Sequence, residues 1–94
     1  MPMFTTRIEM HDATWADYEK LHRAMEAVGF SRVITSDDNN RYHLPWAEYD
    51  VVGPYTLDQV FNAASKAAAT IGKKFAALVT EAVRRKWSGL PKAS

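Results

Sequence analysis

At Thr14 the spacing of apolar residues changes from two to about 3.6, and this switch restricts the available folds more than any other feature of the chain. In MFTTRIEM (residues 3–10), Phe4, Thr6, Ile8 and Met10 share one face while Thr5, Arg7 and Glu9 share the other, the pattern of a half-buried strand. Beyond Thr14, Trp15, Tyr18, Leu21, His22, Met25 and Val28 recur every three or four residues, which predicts one apolar stripe along a helix. Thr14 and Asp17 have the spacing of a capping box, and Gly29 offers a left-handed stop.

A second unit follows the same logic. FSRVITS is short and β-branched, DDNN is a polar turn, and RYHL resumes an extended pattern, so residues 30–44 read as a hairpin. Pro45 cannot donate to a ladder, which places it at an edge or a bulge before the strand continues through AEYDVV and stops at Gly53-Pro54. Thr56 with Gln59 starts a second helix carrying Val60, Phe61, Ala64, Ala67, Ala68 and Ile71, and Gly72 ends it. KKFAALVTEA is extended and apolar on both faces, and KWSGL could return as a short fifth strand.

The order is β-α-β-β-α-β, a ferredoxin-like α+β domain over residues 1–94 with one antiparallel sheet and both helices on one face. This topology predicts that His11-Asp12, the DDNN turn and Lys73-Lys74 share one edge of the sheet. Arg84, Arg85 and Lys86 then lie about 30 Å away along strand four. Residues 1–72 carry 6 Lys/Arg against 10 Asp/Glu, and residues 73–94 carry 6 against one. The basic end suits a phosphate backbone, or serves as a solvated edge that resists aggregation.

The absence of cysteine removes disulfides, thiolate metal sites and a cysteine nucleophile, and makes a reducing compartment, the cytoplasm, the expected location. No apolar run approaches the roughly 18 residues of a membrane span. Walker, GxGxxG, zinc-spacing, GxSxG and HExxH motifs are all missing from the sequence. The remaining candidates are individual residues. Asp12 could hold Mg2+ through oxygen ligands, with Asp37 and Asp38 nearby, or position an attacking group; alternatively it starts helix one. His22 is either a boundary core residue or a general base. Trp87, following Arg84-Arg85-Lys86, offers a stacking surface beside cations, or covers an open edge.

The Asp that closes strand one (Asp12), the stretch LHRAMEAVGFSRVITSDD and the hairpin after it resemble the GhoS-type antitoxins of type V toxin–antitoxin systems. These are small ferredoxin-like proteins related in fold to a CRISPR-associated family. The resemblance covers most of the first 50 residues; beyond them only element order and the KKFAALVTE strand persist. It implies an endoribonuclease that cuts the mRNA of a partner toxin, with Asp12 as the strand-end acid and Lys20, His22 and Arg23 at the polar and basic positions of helix one. Lys73, Lys74, Arg84, Arg85, Lys86 and Trp87 are the expected nucleic-acid contacts. A different class of function stays open: a non-enzymatic inhibitor, phage or mobile-element borne, that binds a protein of a nucleic-acid-handling complex. The doubly apolar fourth strand also suggests a homodimer.

Overall fold

The computed structural model describes residues 1–93 and is an α+β fold of two helices and two three-stranded antiparallel sheets. The elements are β1 (Met3–Met10), α1 (Trp15–Ala27), β2 (Val33–Thr35), β3 (Arg41–His43), β4 (Glu48–Val52), α2 (Leu57–Ala69), β5 (Phe75–Ala82) and β6 (Lys92–Ala93). The main sheet has the order β4-β1-β5, and an isolated bridge between Ser31 and Asp50 adds the lead-in to β2 beyond β4. This arrangement is compatible with a ferredoxin-like domain.

The alternation of β1 directs Phe4, Ile8 and Met10 into a core closed by Leu21 and Met25 of α1 and by Val60, Ala64, Ala67 and Ala68 of α2. Arg7 and Glu9 emerge on the opposite, open face. The alanine row lets α2 approach closely; bulkier side chains there would hold the helix off the sheet. Both capping boxes form: Thr14 accepts from the Asp17 N–H and Thr56 from the Gln59 N–H, with reciprocal bonds back to each cap. Thr56→Ala is therefore expected to cost about 1 kcal/mol, measured as a lowered urea midpoint at unchanged slope. At the end of α1, Gly29 (φ 100°) lets the Phe30 N–H reach the Met25 carbonyl, and both side chains join the core.

The strand expected from RYHL through AEYDVV is broken. Between β3 and β4, Pro45 to Glu48 forms a turn closed by the Glu48 N–H to the Pro45 carbonyl, with Ala47 at φ 75°. A residue with a Cβ occupies that region only when its surroundings hold it there; here the Ala47 carbonyl accepts from the Ile8 N–H, and the residue is buried. The break frees the β2-β3 hairpin from the main sheet. The C-terminal segment captures it: the His43 N–H donates to the Pro91 carbonyl, and β6 pairs with β3. The fifth strand expected at KWSGL is thus displaced to Lys92–Ala93, with Trp87 to Leu90 part of the crossing that precedes it. No helix among the described residues is long and apolar enough to cross a membrane.

Candidate functional site: a mixed-charge aromatic groove

Arg84 and Lys86 follow β5 at the end of the sheet where β1 begins, since Ala82 pairs with Met3. Arg85 turns onto the open face, where its Nη1 lies 2.6 Å from Asp50 Oδ1 and 3.3 Å from Thr5 Oγ1. Asp50 is buried, so Arg85 anchors the crossing segment. Arg84 and Lys86 remain exposed, and Trp87 is half-buried with its ring edge-on to Tyr42 at 5.7 Å. Together with Ser36, Asp37 and Asp38 of the hairpin turn, these residues line a groove of about 650 Å³.

That placement corrects the expected edge. The DDNN turn lies beside Arg84–Trp87, not beside His11-Asp12, because the break at Pro45–Ala47 redirects the hairpin. The rest of the expected corner does form: the His11 N–H donates to the Lys74 carbonyl at 2.8 Å, and Lys73 Nζ lies 3.8 Å from Asp17. The Thr14 backbone N–H, with Lys73 adding, holds the Asp17 carboxyl below its ordinary range. Asp38 is likewise lowered, chiefly by the Ser36 hydroxyl, which donates to it. Asp12 is exposed at φ 53°, and Thr14 occupies the cap position of α1, so Asp12 does not cap the helix. No group of three or more His, Asp or Glu residues arranged to hold a metal occurs among the described residues. A Mg2+ site built from Asp12, Asp37 and Asp38 therefore does not fit, since the two aspartates sit in the groove at the far end of the sheet.

His22 and Arg23 are not brought to Asp12. They lie two turns into α1, roughly 10 Å along its axis from Trp15. Arg23 is exposed. His22 belongs to a separate cluster: its Nδ1 is 2.6 Å from the Tyr49 hydroxyl, and its ring stands edge-on to Trp46 at 4.4 Å. Arg32 lies over both the Trp46 and Tyr49 rings and donates to the Pro45 and Glu48 carbonyls at 2.7 Å each. Burial, with the Arg32 charge adding, pushes the His22 pKa down to about 4. Burial raises that of Tyr49, whose hydroxyl stays protonated and shares a hydrogen bond with His22 Nδ1, while the other ring nitrogen, Nε2, is buried without a partner. The cluster holds the Pro45–Glu48 turn against α1. Trp15, 66% exposed, stacks on Trp46 at 3.9 Å.

The groove brings the expected residues Arg84, Lys86 and Trp87 together with Tyr42, Asp37 and Asp38, which the sequence did not place beside them. Only Pro45 signalled that the strand breaks and the hairpin moves. Comparison with protein-family models, curated proteins and solved structures yields no match for this chain.

Proposed function

We propose that this protein binds single-stranded RNA and acts as an antitoxin-type endoribonuclease on the message of a partner toxin. The observation that carries the binding is the groove, where two exposed cations, two aromatic rings and a carboxylate turn meet. Phosphates suit Arg84 and Lys86, an unstacked base suits the rings of Trp87 and Tyr42, and the Asp37 carboxylate can accept from a base's amino or imino hydrogens. Arg85 is committed to Asp50 and contributes position instead of free charge.

The cleavage step follows the family resemblance. The Asp12 carboxylate removes the 2′-hydroxyl proton, the oxygen attacks the adjacent phosphorus in line, and the 5′-oxygen leaves as its P–O bond breaks and takes a proton from water, giving a 2′,3′-cyclic phosphate and a 5′-hydroxyl end. Lys73 and Lys74, beside the end of β1, offset charge on the phosphorane. No step uses a metal.

Labelled toxin message incubated with purified protein, with and without EDTA, tests this reading. Cleavage is expected in both, slowed about a hundredfold by Asp12→Ala. Arg84→Ser and Lys86→Ser should each weaken binding and flatten the salt dependence by roughly one counterion. Failure to bind or cut RNA would overturn the proposal. The inhibitor reading has its own support in the exposed Trp15, a residue type favoured at protein interfaces. A stoichiometric protein partner recovered without RNA would favour it.

A further inference from the structure

β5 is eight residues long and forms one edge of the main sheet, and no strand among the described residues pairs with its outer side. Because the His11 N–H bonds to the Lys74 carbonyl, the even-numbered peptide groups of β5 face β1. Those of Phe75, Ala77, Val79 and Glu81 therefore face outward. Two usual guards of an exposed edge are missing, since β5 has no proline and no bulge; its one charge is Glu81, near its end, and Leu78 on its open face is 63% exposed.

We propose that a second copy of the chain covers this edge, pairing β5 with β5 antiparallel about a two-fold axis at Ala77. Side chains opposite each other in an antiparallel pair share a face, so only residues of equal parity can meet. Centred on Ala77, Phe75 opposes the partner's Val79 on the helix face, and Ala76 opposes the partner's Leu78 on the open face. At each end Lys73 faces the partner's Glu81, opposite charges in register. Sliding the pair one step of equal parity puts Phe75 against the partner's Glu81 in one direction and Lys73 against the partner's Val79 in the other, and either slide leaves Lys73 without a carboxylate across the seam. The Ala77 register thus satisfies both the apolar and the charged positions, and joins the two main sheets into six strands through about six backbone hydrogen bonds.

The pairing has a consequence for the proposed RNA site, and this part rests on that reading. Within one chain, Lys73-Lys74 and Arg84–Lys86 lie at opposite ends of β5. In the dimer, Lys74 stands across from the partner's Thr80, and the partner's Arg84 follows within about four residues, or roughly 13 Å. Asp12 and its neighbouring lysines of one copy then lie at the same end of the joined sheet as the partner's groove. The cleavage corner and the binding groove become one track only when two copies meet.

Sedimentation of the full chain across dilution tests the pairing without RNA. The expected result is twice the monomer mass at concentrations on the order of 100 μM, dissociating on dilution. Hydrogen exchange at the Ala77 and Val79 amides should be slow in the dimer and fast in the monomer. Ala77→Pro deletes only an outward N–H, and Glu81→Lys sets two like charges face to face; each should raise the dissociation constant at least about tenfold, with circular dichroism unchanged. Should Ala77→Pro unfold the chain, Glu81→Lys alone decides. A monomer at all concentrations, or a dimer that Glu81→Lys leaves intact, overturns the pairing whatever the RNA assays give. With the dimer established, Ala77→Pro, which changes no charge, should also lower RNA affinity; unchanged affinity would overturn the shared track.

Discussion

Arg85→Met is expected to lower the unfolding free energy by about 2–3 kcal/mol, a shift on the order of 2 M in urea midpoint. The substitution keeps an apolar stem over the sheet but leaves the Asp50 carboxylate, now mostly shielded from water, without its partner at 2.6 Å. Removing one member of a buried pair costs more than the pair itself contributes, because the remaining charge keeps its desolvation penalty. The guanidinium is partly exposed, which places the loss below that of a fully buried pair. The effect should also be local. The crossing segment is released, so the amides pairing β6 with β3 exchange faster while those between β1 and β5 keep their protection. Arg85→Met with Asp50→Leu should recover most of the stability, since no unpaired charge then remains. A loss under about 0.5 kcal/mol for Arg85→Met would class the contact with ordinary surface pairs.

The two helices and the central strand were legible because their signals are local. A capping box, a stripe at helical spacing and a β1 alternation each depend on residues within one element, and the core then assembled the expected faces. What the pattern did not reveal was where β3 and β4 separate. Pro45 marked a fault in the ladder, but its consequence depends on Trp46 finding Trp15 and His22 on α1, and on the tail reaching His43. These contacts join residues 24 or more positions apart and leave no periodic trace.

The candidate site divides along the same line. Arg84, Lys86 and Trp87 are recognisable as a basic aromatic string, and Lys73-Lys74 follow from the topology. Arg85 looks identical to its neighbours in sequence, yet it is withdrawn into a structural pair by Asp50, a buried charge set between Tyr49 and Val51. A carboxylate inside an apolar strand is itself a signal that a cation must cover it. The position of Asp37 and Asp38 carried no such signal, because it is set by the fold-back of the hairpin.

His22 should make this protein lose stability between pH 6.5 and 4, by at most about 3 kcal/mol. Its folded pKa, near 4, lies below the ordinary value of 6.5, so the unfolded chain binds the proton more readily throughout that window. The contribution is fully present above pH 6.5 and disappears as pH falls to about 4. Protonation is opposed by burial first and by the Arg32 cation second. It would also place a hydrogen on both ring nitrogens, so Nδ1 can only donate to the Tyr49 oxygen and the buried Nε2–H has no acceptor. His22→Leu should flatten the pH dependence in this window, yet cost about 1–3 kcal/mol at pH 7 by stranding that buried hydroxyl. Adding Tyr49→Phe removes the stranded group and should restore much of the loss while keeping the flat profile. Urea midpoints for the three proteins from pH 4 to 7.5 decide the matter. A wild-type profile parallel to that of His22→Leu would show that His22 titrates alike in the folded and unfolded chain, and that the Arg32-Trp46-Tyr49 cluster does not hold it neutral.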